Sequence, residues 1–91
     1  MTNFLGALVC TAYVATGHPC ADGRMPRAGI TVAAPRSVPL HSKVIVEGVG
    51  VFEAEDRTAR RFDGRVDIFM RSRREAINFG KQTHRVWVVK P

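Results

Sequence analysis

Apolar and polar positions alternate along this chain in short stretches, and glycine, proline and clustered charge separate the stretches. That rhythm predicts strands rather than helices. Residues 7–14 (Ala-Leu-Val-Cys-Thr-Ala-Tyr-Val) are rich in β-forming types and read as the first strand. Residues 15–28 carry Gly17, Pro19, Gly23, Pro26 and several charges, and read as a loop. Residues 29–34 read as a short strand, and residues 35–41 as a loop with two prolines. Residues 43–47 and 51–55 flank Gly48-Val49-Gly50 and predict a β-hairpin. Asp56 follows directly at its end. The charged stretch 57–64 closes on Asp63-Gly64, a turn signal.

Residues 65–70 alternate, with Val66, Ile68 and Met70 on one face and Asp67 and Phe69 on the other. Ser72 to Glu75 has the spacing of a capping box, which predicts a short helix through Phe79 ended by Gly80. Residues 84–90 predict the closing strand. About six short strands in 91 residues favour a small closed barrel with one helix, an all-β single domain spanning residues 1–91.

Charge adds a partner class. With 14 Lys and Arg against 8 Asp and Glu, the net charge is +6. A basic surface favours polyanions, among them nucleic acid and cell-wall polymers bearing carboxylates or phosphates. A solvated basic face is the plainer account. The two cysteines, Cys10 and Cys20, have no second pair and so lack a zinc pattern; a disulfide and two free thiols both fit. The start of the chain lacks basic residues ahead of a short apolar run, so neither a secretory signal nor a membrane span is expected.

Asp67 is the leading candidate for chemistry, because a mid-strand aspartate between Val66 and Ile68 runs against β-propensity. In a cleft beside Phe69 it would be desolvated, its pKa would rise, and it would suit general acid work. On a solvent face it would simply pair with Arg65. Asp56 offers a second carboxyl that a neighbouring strand could bring close, as glycoside cleavage requires. The three histidines read as surface residues, and no Gly-x-Ser-x-Gly, phosphate-binding glycine loop or metal-type histidine pair occurs. No cofactor or metal is therefore expected.

Several segments, taken in order, resemble one family. Thr11-Ala12-Tyr13, then residues 38–48 (Val-Pro-Leu-His-Ser-Lys-Val-Ile-Val-Glu-Gly), Glu55-Asp56-Arg57, residues 63–69 (Asp-Gly-Arg-Val-Asp-Ile-Phe), Glu75-Ala76 with Phe79-Gly80-Lys81, and residues 86–89 are similar to the motifs of the three-aspartate (3D) domain. The likeness runs from about Thr11 to Val89. The second and third family aspartates match Asp56 and Asp67, the first falls on Ala34, and the family's Gly-Gly falls on Thr58-Ala59.

The resemblance implies a six-stranded double-psi β-barrel related to lytic transglycosylases and other muralytic proteins. It makes Asp67 the catalytic acid and Asp56 a second groove carboxylate. Thr11 and Tyr13 become groove-lining residues, with Arg57 and Arg65 among the cations that would hold glycan. The implied partner is the peptidoglycan glycan strand, met in the periplasm or otherwise outside the cytoplasm, with neither nucleic acid nor stable membrane insertion involved. A lytic transglycosylase works with one carboxyl group, so alanine at position 34 harms that reading less than it harms a hydrolase. The alternative is a glycan-binding barrel without catalysis.

Overall fold

The computed structural model describes residues 2–91. Six strands close into a barrel: β1 (Thr2–Tyr13), β2 (Thr31–Ala34), β3 (Lys43–Val46), β4 (Gly50–Arg57), β5 (Val66–Phe69) and β6 (Gln82–Val89). A 3₁₀ turn over Arg60–Phe62 precedes β5, and helix α1 (Arg73–Phe79) joins β5 to β6. The expected six-stranded all-β barrel with one short helix is the observed architecture.

Around the ring the order is β1-β5-β2-β4-β3-β6, with β6 returning to β1. The β1–β5 and β2–β4 pairs are parallel, and the other four are antiparallel. The central pair β5–β2 is thus flanked by one parallel neighbour on each side. This order brings residues from the first strand and the middle of the chain onto one part of the wall.

The barrel interior is filled mostly by valine. Val32, Val44, Val46, Val66, Val86 and Val88 point inward with Cys10, Ala54 and Ile68, and Val38 from a loop joins them. Short branched side chains suit a narrow barrel, because their stiff χ1 angles cost little entropy to fix and their volume fills the interior without overpacking.

Three strands run longer than their sequence patterns suggest, β6 only slightly, by starting at Gln82 rather than at residue 84. β1 begins at Thr2 rather than at residue 7. Gly6, at φ 114°, sits at a register shift against β6, where only glycine fits easily, and it bends the strand instead of ending it. β4 runs on to Arg57, so Asp56 lies inside the strand. A second irregularity explains that extension: Val32 pairs with Ala54 but Ala33 pairs with Asp56, leaving Glu55 as the extra residue of a bulge.

Glu55 is wholly buried, and its carboxylate is satisfied locally. It accepts from Thr31 Oγ1 at 2.5 Å and Arg27 Nη2 at 2.6 Å, with Arg24 at 3.8 Å. The Asp22 N–H donates to the Glu55 carbonyl, and the Ala21 N–H to Asp56, so the 14–30 loop is fastened over this part of β4.

Helix α1 is bounded as its residues predict. Ser72 Oγ accepts from the Glu75 N–H at 3.2 Å, and Gly80 takes φ 65° at the end. Cys10 and Cys20 are both buried free thiols. Among the described residues, no helix is long and apolar enough to cross a membrane.

Candidate functional site

Strand register assembles the site. Thr11 of β1 pairs with Asp67 of β5, Asp67 with Ala33 of β2, and Ala33 with Asp56 of β4. Residues paired across a sheet share a face, so the four side chains form one row on the outer wall. The bulge at Glu55 is what turns Asp56 outward. Ala54 faces the core, and simple alternation would have sent Asp56 inward as well. Ala33, buried and small, is all that stands between the two acids in the row. Ala34 points into the core instead.

Asp67 is half-buried and lines a cavity of about 300 Å³ together with Thr11, Ala12, Thr58, Ala59, Phe62 and Arg65. Thr11 Oγ1 donates to Asp67 Oδ1 at 3.1 Å, the one donor to this carboxyl among the described residues. Burial pushes the Asp67 pKa above the ordinary aspartate value, and the negative charge of Asp56 adds to the rise. The Thr11 hydrogen bond and the Arg65 charge work against it without cancelling it. The arrangement is an acid with one oxygen fixed and its proton retained to higher pH than usual, at the wall of a space large enough for a sugar ring.

Asp56 has a different environment. Its Oδ1 accepts from the Ala21 N–H at 3.0 Å and the Arg57 N–H at 2.8 Å, and its Oδ2 accepts from Tyr13 Oη at 3.4 Å. Tyr13 in turn packs edge-on against Phe69, with centroids 5.4 Å apart. Burial, reinforced by the charge of Asp56, drives the Tyr13 pKa far up, so its hydroxyl remains a donor. Three donors therefore hold Asp56 in place, and one of them, the Ala21 N–H, binds it to the 14–30 loop.

The remaining residues singled out from the sequence separate here. Arg65 lines the cavity. Arg57 does not: its Nη1 donates to the carbonyls of Pro35 at 3.0 Å and Val38 at 2.6 Å, tying down the 35–42 loop. Sequence reasoning missed Thr58, Phe62 and Ala33. Phe62 was detectable as a lone aromatic in a run of arginines, and Thr58 stood out only as a departure from the resembled family's Gly-Gly; nothing in the sequence singled out Ala33.

A larger cleft of about 400 Å³ lies near Phe52, Phe69 and Met70, but its charged members, Arg71 and Glu75, are both exposed and offer no enclosed acid. One set of metal-capable groups occurs among the described residues: Asp22, His41 and Glu55 place one ligand atom each within 4.8 Å of one another. There the Arg27 guanidinium already supplies positive charge to Glu55. No known protein family, curated protein or solved structure matches this chain.

Proposed function

We propose that this barrel is a peptidoglycan lytic transglycosylase of the three-aspartate type, with Asp67 as its single acid/base. The observation that carries the reading is the contrast between the two carboxyls. Asp67 is half-buried, raised in pKa and open to a sugar-sized cavity, whereas Asp56 has its oxygens engaged by three donors.

A hydrolase needs a second carboxylate free to take a proton from water. Asp56, held by two backbone N–H groups and a tyrosine, is badly placed to do so. A one-carboxyl reaction asks less of the site. Asp67 in its acid form donates its proton to the oxygen linking N-acetylmuramic acid to N-acetylglucosamine, and that bond to the anomeric carbon breaks. The resulting carboxylate then takes the proton of the muramyl 6-hydroxyl, whose oxygen closes onto the same carbon. The products are a 1,6-anhydro sugar and a free chain end, water is not consumed, and Asp67 regains its proton.

Thr11 keeps Asp67 oriented, Asp56 raises its pKa through charge, and the +6 net charge suits an anionic wall. The reading places the work outside the cytoplasm. A glycan-binding barrel without catalysis is the second reading, favoured by Ala34, where the resembled family has its first aspartate, pointing into the core and adding no third carboxylate to the row.

The test is digestion of purified sacculi by the parent and Asp67→Asn, with mass spectrometry of the products. Anhydro-ended fragments from the parent and none from the variant are expected. Reducing ends would instead mean hydrolysis. Intact glycan that still retains the protein would mean binding alone, and equal digestion by both would remove Asp67 from the mechanism.

A further inference from the structure

Away from the Asp67 cavity, three side chains from separate parts of the chain converge. Asp22 comes from the 14–30 loop, His41 from the 35–42 loop and Glu55 from the bulge in β4, and each places one ligand atom within 4.8 Å of the others. Both loops are fastened to consecutive residues of β4. The Asp22 N–H donates to the Glu55 carbonyl at 3.1 Å, and the His41 N–H to the Ala54 carbonyl at 2.7 Å. Backbone bonds to the barrel wall therefore hold the three groups together.

An independent observation concerns Asp22. Its Oδ1 accepts from the Arg24 N–H at 2.9 Å, whereas its Oδ2 is buried and has no hydrogen-bond partner among the described residues. A carboxylate oxygen shut away from water with nothing to bond is costly, and a cation beside it removes that cost.

His41 supplies a nitrogen. Its Nδ1 lies 3.0 Å from Glu53 Oε2. With the Nδ1 proton given to Glu53, the Nε2 lone pair is left for an ion. A carboxylate behind the ring is the usual means of fixing the tautomer of a metal-bound histidine.

Arginine answers only part of the local charge. Arg27 and Arg24 reach Glu55 at 2.6 and 3.8 Å, so the carboxylates of Asp22, Glu53 and Glu55 outnumber the guanidinium groups among them, in a chain whose net charge is +6. Both arginine side chains are well exposed and can swing into water when a smaller cation takes their place.

We propose that Asp22, His41 and Glu55 form a divalent metal site that takes zinc. One imidazole nitrogen with two carboxylate oxygens suits zinc, whereas calcium and magnesium call for more oxygen ligands. Zinc bonds of about 2.0–2.2 Å keep neighbouring ligand atoms about 3.4 Å apart, a modest contraction of the cluster. The ion would clip two loops to β4, beside the Ala21 N–H that holds Asp56.

The experiment is calorimetric titration of zinc chloride into the intact chain, with thermal unfolding alongside. Binding of one ion per chain is expected. Zinc at about ten times its Kd should raise the melting temperature by about 6–11 °C, and magnesium at the same concentration should not. His41→Asn, a residue type that tolerates the φ of 72° found there, and Asp22→Asn should each weaken zinc binding about tenfold or more while melting near the parent's metal-free temperature. His18→Ala and His84→Ala should bind zinc as the parent does. Arg27→Met should bind it several-fold more tightly, since the competing guanidinium is gone.

No binding, equal response to magnesium, parent-like affinity in His41→Asn or Asp22→Asn, or loss of binding in either histidine control would overturn the site. Weaker binding by Arg27→Met would overturn the place given to arginine. The site shares no side chain with the Asp67 cavity, so its failure leaves the lytic reading untouched, and an active Asp67→Asn would leave the metal site untouched.

Discussion

Replacing Arg27 with methionine should destabilise this barrel more than replacing the residue it serves. Glu55 is fully buried, and Arg27 is its closest cation at 2.6 Å. At an effective dielectric of about 20, that separation corresponds to a gross attraction of about 6 kcal/mol. The net value is lower. The Arg27 side chain is 47% exposed and keeps part of its hydration, while Thr31 and the more distant Arg24 remain to hold Glu55 after the change. About 3 kcal/mol is expected for Arg27→Met, because it strands a buried anion. Glu55→Gln should cost only about 1 kcal/mol, since it retains a partner for Thr31 and frees a guanidinium that reaches water. The double variant removes both charges and should cost less than Arg27→Met alone. Thermal unfolding by circular dichroism reads the series, with about 12–20 °C expected for Arg27→Met in a domain of this size. A loss under about 1 kcal/mol for Arg27→Met, or a double variant whose cost equals the sum of the singles, would refute the argument.

The raised pKa of Asp67 has a thermodynamic signature. The folded chain binds this proton more tightly than the unfolded chain, so wild type loses stability as pH rises from the unfolded value through the folded one. Asp67→Asn lacks that loss; its melting temperature relative to wild type should climb across that window, and a flat difference would contradict the raised value. Lytic activity should fall over the same range as the acid form disappears, measured as clearance of sacculi against pH. Burial, with the charge of Asp56 next, lifts the Cys20 thiol to about 11. Iodoacetamide should therefore label it slowly at pH 8 and faster toward that value, as intact mass would report; rapid labelling at pH 8 would show that the thiol is not so shielded.

The strand rhythm was readable where strands alternate cleanly, as in β3, β5 and β6: Val44 and Val46, Val66 and Ile68, and Val86 and Val88 all face inward. The helix was readable because its ends are chemical, a serine hydroxyl and a glycine. What stayed hidden depends on contacts distant in sequence. Nothing local marks Glu55 as a bulged residue, because the bulge exists only relative to β2 and its charge is neutralised by a loop more than twenty positions earlier. For the same reason Asp56 and Asp67 could be suspected but not aligned. Their common neighbour, Ala33, lies on a strand between them in space and ahead of both in the chain. Arg57 and Arg65 look alike in the sequence, and only the fold sends one to loop carbonyls and the other to the cavity.

Ring closure also limits how this molecule can be recognised. Around the site, β1 over Cys10–Tyr13, β5, β2 and β4 are hydrogen-bonded in turn, so no peptide can dock there by lengthening the sheet and a second copy finds no free edge beside Asp67. Recognition is left to side chains and loops on the outside of the wall. A hydroxylated, carboxylated polymer that offers no backbone amide ladder of its own sacrifices nothing on such a surface, whereas an extended protein segment would forgo its principal mode of attachment.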